Sequence, residues 1–160
     1  MIIGILSDSH GQAVITARAI AMLRDAGAEF FFHCGDVGDR VLELLPARQS
    51  AFVFGNNDWD HQGLEREAMD REIRCLAGGG VVEIDGKRIA MTHGDDTRTL
   101  NAMLSGDNDY VLSGHTHVPH DVRVGTTRRI NPGALFRARR KTVATLNLST
   151  DELLMLEVRQ

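Results

Sequence analysis

Asp8 and His10 directly follow an apolar run at residues 1–6 and set a carboxylate beside an imidazole. In extended backbone their spacing turns both side chains to the same side. Taken alone, Asp-x-His is better explained by a polar turn with a helix cap. The rest of the chain favours chemistry. Asp36 follows Gly35, Asn56 follows Gly55, His93 precedes Gly94, and His115 and His117 lie in Ser113-Gly114-His115-Thr116-His117. Each set comes just after a short apolar run that reads as a strand. Four imidazoles, two carboxylates and one amide oxygen can hold two divalent ions if one carboxylate is shared. Two ions roughly 3.5–4 Å apart can clamp the attacking and leaving oxygens of a phosphoryl transfer. A hydroxide bridging them is a nucleophile at neutral pH, because metal binding can lower the pKa of water to about 7. Mixed nitrogen and oxygen ligands suit manganese, iron, nickel or zinc, and manganese is the expected ion.

The elements that position these residues can be read from apolar periodicity. Residues 1–6 predict a fully buried strand, since no polar residue alternates with the isoleucines. Residues 13–26 predict a helix stopped by Gly27, and 29–32 a second strand. A second helix is expected over 37–47 in spite of Pro46, then a third strand over 51–54. Successive strands thus open into Asp8, Asp36 and Asn56, at the carboxyl ends where open α/β sheets build their sites. Residues 59–70 read as a polar loop with a short helix, its Glu65-Arg66-Glu67 run a solvated face. Strands over 72–76 and 81–84 are expected around the turn Ala77-Gly78-Gly79-Gly80, and Asp85-Gly86 marks a hairpin into 87–92. Asp95 or Asp96 caps a short helix through about residue 104, followed by a strand over 110–112. The remainder reads as hairpins over 118–124 with 127–130 and 142–148 with 152–158, with Asn131-Pro132-Gly133 a turn. This order fits two packed mixed sheets with helices outside.

The 160 residues are expected to form one domain, 1–160. A net charge of -4 argues against binding an extended nucleic acid. Cys34 and Cys75 form no CxxC pair, which supports neither a disulfide framework nor a thiolate zinc site and fits a reducing cytosol. No apolar run is long enough to span a membrane, so a soluble cytoplasmic protein is expected.

Asp8-x-His10, Gly35-Asp36, Gly55-Asn56-x-Asp58, His93-Gly94 and Gly114-His115-x-His117 resemble the ordered motifs of the calcineurin-like metallophosphoesterases. The short chain and the Asn131-Pro132-Gly133 turn resemble the small phosphodiesterase branch of that family, and the likeness spans essentially the whole chain. It implies a four-layer αββα sandwich, two mixed β-sheets flanked by helices, around a binuclear centre that cleaves a small phosphodiester. By position it implies that Asp8, His10, Asp36 and His117 hold one ion. Asp36, shared, would hold the other with Asn56, His93 and His115. Asp58 would orient a neighbouring group beside the ligands. Family members that cleave unactivated monoesters generally carry histidine after the motif asparagine. Here the residue is Asn57, which supplies no proton at neutral pH, so diesters are favoured over monoesters. Ala134 stands where the branch often has serine, which removes a hydrogen bond.

The remaining candidates have plainer readings. His33 is expected on a different face from Asp36, as a core histidine or one beside the ligands. His61 and His120 are expected at the surface or rim, Cys34 in the core, and Trp59 in either the pocket or the core. Arg128-Arg129 and Arg137-x-Arg139-Arg140-Lys141 read as charged strand edges, with contact to a substrate phosphate as the sharper alternative. The competing function is a non-catalytic protein-binding scaffold like the retromer subunit of this fold, and self-association is an open alternative for either.

Overall fold

Apolar residues fill β1 (Ile2–Leu6) and β2 (Phe30–His33) without alternation because both faces of these strands are covered. Ile3, Ile5, Phe30 and Phe32 face a second sheet, while Leu6 and Phe31 face helices on the opposite side. The computed structural model describes residues 1–159. α1 (Ala13–Asp25) crosses from β1 to the parallel β2 and packs Ala19, Ile20 and Leu23 onto this outer face. β3 (Ser50–Phe52) and β4 (Arg74–Cys75) extend the sheet in parallel. α2 (His61–Asp70), capped by Asp60, adds Ala68 to the same layer. On the other side of β1 lie β10 (Thr142–Asn147) and then β11 (Glu152–Glu157), each antiparallel to the strand before it in the sheet, giving the order β11-β10-β1-β2-β3-β4.

The second sheet has the order β5-β6-β7-β9-β8. Its strands are β5 (Gly79–Ile84), β6 (Lys87–Thr92), β7 (Tyr110–Leu112), β8 (His120–Val124) and β9 (Thr127–Asn131). Val82, Ile89, Met91, Leu112 and Ile130 close the core between the sheets. α3 (Thr97–Ser105) joins β6 to the parallel β7 and covers Ala90 and Val111 with Leu100. The expected αββα order is present, with its fourth layer reduced to this one short helix among the described residues. Val81, Val122 and Val124 are exposed on the second sheet. No helix among the described residues is long and apolar enough to cross a membrane.

Two expectations are corrected. Residues 37–47 are not an α-helix but a loop holding one 3-10 turn, Leu42–Leu44. The amides of Val37 and Gly38 donate to the Asp58 carboxylate at 3.1 and 3.0 Å, and Gly38 and Arg40 have positive φ, so the backbone cannot wind there. Nor do 72–76 and 81–84 pair around their glycine turn. β4 belongs to the first sheet and β5 to the second, so this turn carries the chain from one sheet to the other. Boundaries also move: β3 stops at Phe52, leaving Val53 and Phe54 to lead into the site, and β8 starts at His120.

Candidate metal centre

All seven candidate ligands lie on loops that leave the carboxyl ends of strands. Asp8 and His10 follow β1, Asp36 follows β2, Asn56 follows β3, His93 follows β6, and His115 and His117 follow β7. The loops are laced together. His10 donates its amide to Asp36 O at 2.9 Å, Gly11 to Val37 O at 2.9 Å, and Gly114 to His93 O at 2.9 Å. Asp8 and His10 do not converge through extended backbone, as their spacing suggested. Five of the candidate ligands have left-handed backbone: Asp8 (φ 53°), His10 (44°), Asp36 (51°), His115 (68°) and His117 (58°). Each such non-glycine residue costs about 1 kcal/mol or more, and strain of this kind concentrates where side chains must be aimed. Gly55 and Gly114 let the loops close, since a methyl group on either would overlap Asp36 Oδ1 or Ser7 Oγ.

The donor atoms converge. Asp36 Oδ2 lies 3.3 Å from His10 Nε2 and 3.4 Å from His93 Nε2. Asp8 Oδ1 lies 3.1 Å from His117 Nε2, and Asn56 Oδ1 lies 3.1 Å from both His93 Nε2 and His115 Nδ1. Two overlapping groups, Asp8–His10–His117 and Asp8–Asp36–His93, have the spacing of metal ligands. Asp8 Oδ1 and His10 Nε2 are buried without a hydrogen-bond partner. Buried atoms of this kind that face other ligand atoms without a hydrogen bond are costly unless a cation completes them. The residues therefore fit divalent metal.

The surrounding bonds aim these atoms. Asp8 Oδ2 accepts from Ser7 Oγ at 2.6 Å and from the His115 amide at 3.1 Å, which leaves Oδ1 facing the centre. His93 Nδ1 pairs with Cys34 O at 2.8 Å, so Nδ1 carries the proton and Nε2 is the free donor. Asn57 holds Asp36 twice, backbone amide to Oδ1 and side-chain amide to Oδ2, both at 2.8 Å. Burial opposes ionisation of Asp36, but hydrogen bonds from His93 and Asn57 outweigh it and hold the carboxyl well below its usual range. Burial likewise opposes a charge on His93, yet the Asp36 carboxylate and Cys34 carbonyl raise its affinity for a proton. That proton sits where a cation would.

Asp58 does not touch a reacting side chain. Its carboxylate accepts from the amides of Val37, Gly38 and Gly55, at 2.8 Å for the last, and fixes the loops bearing Asp36 and Asn56. Sequence reasoning missed the Asn57–Asp36 clamp and the buttress at Asn131, whose Nδ2 donates to Gly114 O at 2.7 Å. The Asn-Pro-Gly turn was the only signal of that buttress. Trp59 is 86 % exposed and lines a groove rather than the core. His61 stacks on Phe54 at that groove, and His120 is half-buried on the edge strand β8. Among the basic residues, Arg128 is taken up by Asp121 and Asp151, and Arg140 by Glu157, while Arg137 lines the centre.

His33 is a core residue. It is fully buried, its Nε2 lies 2.8 Å from Ser9 Oγ, and burial followed by the neighbouring His93 pushes its pKa down to about 3. Once unfolded the imidazole charges near 6.5. The folded state is therefore free of this penalty above pH 6.5 and loses up to about 1.4 kcal/mol per pH unit as pH falls from there toward 3. His33→Gln is expected to flatten that slope, read by denaturant titration at neutral and mildly acidic pH. An unchanged slope would show that His33 is not the buried neutral group.

The family model for the calcineurin-like phosphoesterase superfamily domain matches residues 1–151. Phosphodiesterase MJ0936 of Methanocaldococcus jannaschii is 34% identical over 139 residues, 83% of each chain. Phosphodiesterase YfcE of Escherichia coli K12 is 28% identical over 145 residues, 81% of this chain and 76% of its own. The solved structure of a novel archaeal phosphodiesterase superposes with a TM-score of 0.89 at 30% identity, covering 98% of this chain and 99% of that one. Zinc-complexed Vps29 of Entamoeba histolytica shares the fold at a TM-score of 0.69 and 22% identity, covering 98% of this chain and 91% of its own. The same ordered motifs that meet at the strand ends run through the matched span, and the chain belongs to the calcineurin-like phosphoesterase superfamily.

Proposed function

We propose that this chain, acting as one domain, is a metal-dependent phosphodiesterase in which Asp36 is shared between two divalent ions, with manganese the preferred ion. One observation carries the reading: a single oxygen, Asp36 Oδ2, stands 3.3 Å from His10 Nε2 and 3.4 Å from His93 Nε2. Asp8, His10 and His117 complete one set, and Asn56, His93 and His115 the other. When bound, the ions supply Lewis acidity at the phosphoryl oxygen and a hydroxide nucleophile at neutral pH. The chain supplies the rest. Ser7, Cys34 and Asn57 orient the donors, and the loop amides gathered by Asp58 fix the spacing. The names of the relatives MJ0936 and YfcE support phosphodiester substrates. A scaffold role like that of the retromer subunit is disfavoured by the complete donor set and its orphaned buried atoms. The free thiols Cys34 and Cys75 fit a reducing cytoplasm.

The test is elemental analysis of the purified protein, then hydrolysis of bis-p-nitrophenyl phosphate before and after chelation and with manganese restored. Loss on chelation and recovery with manganese are expected. Metal-free protein with undiminished turnover would overturn the proposal.

Asn57 makes a further prediction. Its side chain offers no proton to a leaving alkoxide and is already committed to Asp36. A positioned general acid contributes about 10²–10⁴-fold when the leaving group is poor, so activated diesters are expected to outrun alkyl monoesters by a margin of that order. Asn57→His is expected to narrow the gap while weakening metal retention, because the bond to Asp36 Oδ2 is lost. Rates on both substrates at matched metal occupancy check this, and equal wild-type rates would mean that another group donates the proton.

A further inference from the structure

The loop between β9 and β10 closes one wall of the metal centre. The amide of Leu135, a fully buried residue, donates to Ser7 O at 3.3 Å and ties the loop to the residue before Asp8. The Phe136 ring lies 5.0 Å from that of His10, centroid to centroid. A cavity of about 300 Å³ opens here, lined by five of the candidate ligands, by Asn57, and by Phe136 and Arg137. Arg137 is the only lysine or arginine among its described lining residues. Among the described residues no carboxylate pairs with Arg137; its guanidinium carbon lies 5.1 Å from the centroid of the Phe136 ring. Its neighbours in the basic run differ, since Arg140 is taken up by Glu157 and Arg139 does not line the cavity. Arg137 also has left-handed backbone, φ 47°. Glycine adopts that conformation without strain and arginine does not, so the side chain is held at a cost. Strain of this kind beside a cluster of ligands marks a side chain that is being aimed.

A guanidinium steadied by an aromatic ring keeps its N–H donors free, and its planar fork matches two oxygens of a phosphoryl group. We propose that Arg137 is a catalytic residue of this centre, its guanidinium donating to a non-bridging oxygen of the bound phosphodiester. This rests on the phosphodiesterase reading. In the reaction a hydroxide oxygen bonds to phosphorus, and the ester bond breaks with its electron pair going to the leaving oxygen. Negative charge on the non-bridging oxygens is drawn toward the fixed positive charge as this happens, and Arg137 stays protonated throughout. Phe136 is the positioning residue, set between the guanidinium and His10.

The experiment compares wild type, Arg137→Gly, Arg137→Lys and Arg139→Ala as manganese-loaded protein. Four quantities are read: kcat/KM on bis-p-nitrophenyl phosphate, the affinity for inorganic phosphate by calorimetry, metal content and Tm. Arg137→Gly removes the side chain and relieves the left-handed backbone, so Tm and metal content should not fall. Its kcat/KM is expected to drop about 10–100-fold, the worth of a hydrogen bond to a charged group, and its phosphate affinity about tenfold. Arg137→Lys should recover part of both losses, because it restores the charge without the fork. Arg139→Ala should match wild type throughout. Wild-type kcat/KM and phosphate affinity in Arg137→Gly overturn the proposal. So does an equal loss in Arg139→Ala, which would make overall charge the cause, or a loss in Arg137→Gly that follows lost metal or lowered Tm. Hydrolysis of the diester by wild type and Arg137→Gly alike removes the Arg137 assignment alone. If wild type does not hydrolyse it, the phosphodiesterase reading falls and takes this proposal with it.

Discussion

Asp36→Asn is expected to empty both ion positions together and to lower diester turnover by more than about 100-fold, the upper end of what losing an outer partner of a metal ligand costs. The substitution replaces the anionic oxygen that lies 3.3 Å from His10 Nε2 and 3.4 Å from His93 Nε2 with part of a neutral amide. An amide at that position also presents a donor to Asn57, whose own side chain donates there now, so the clamp reverses into repulsion. Asn56→Ala provides the contrast. Its Oδ1 meets His93 and His115 only, so one ion should leave and the other remain. Metal content per chain, measured beside turnover, reads the difference. Wild-type metal content in Asp36→Asn would refute the shared position.

Asp58→Ala is expected to be the most damaging single change to stability near the site. Three amides, from Val37, Gly38 and Gly55, lose their acceptor at once, those of Val37 and Gly55 in buried backbone and that of Gly38 part-buried. An unsatisfied buried donor costs about 1–3 kcal/mol, so a loss of roughly 3 kcal/mol or more is expected. In a chain of this size that is a fall of about 10 °C in Tm. Metal retention should fall too, because the freed loops carry Asp36 and Asn56. Asp58→Asn, which can keep the oxygen that serves both Val37 and Gly55, should lose less on both measures. Thermal melts and metal analysis of the two variants check the order, and equal Tm values for Asp58→Ala and wild type would remove Asp58 from this role.

The candidate donors could be picked out in the sequence because they follow predicted strands, most of them beside a glycine or serine. Asp8, Asp36, Asn56, His93, His115 and His117 could be picked out one by one. How they are aimed was not legible. The Asp8-x-His10 spacing suggested extended backbone, whereas both residues are left-handed, a conformation imposed by bonds to a loop nearly thirty residues away. The segment after Asp36 misled for a similar reason. Val37, Val41, Leu42 and Leu45 are buried as a helix would bury them, yet Asp58, far along the chain, takes the amides a helix would need. Gly78 and its neighbours carry every mark of a hairpin turn. Only the pairing of β4 with β3 shows that the chain changes sheets there. Local pattern reports burial well, and it is silent on which distant group claims a backbone amide.

The candidate donors come from both sheets and span residues 8–117, so under the proposed reading the full set is assembled only late in synthesis. A chain emerging from the ribosome presents Asp8, His10, Asp36 and Asn56 long before His115 and His117 exist. β1, which carries the first two at its end, pairs early with β2 but lacks its second neighbour until β10 at residues 142–147 has been made. Until then the growing polypeptide offers only short Asp-x-His and His-x-His chelates, which any passing transition metal can occupy and leave. Selection among ions therefore falls to the finished fold. On the proposed two-ion reading a complete set of donors exists only in the folded chain, where left-handed backbone aims five of them.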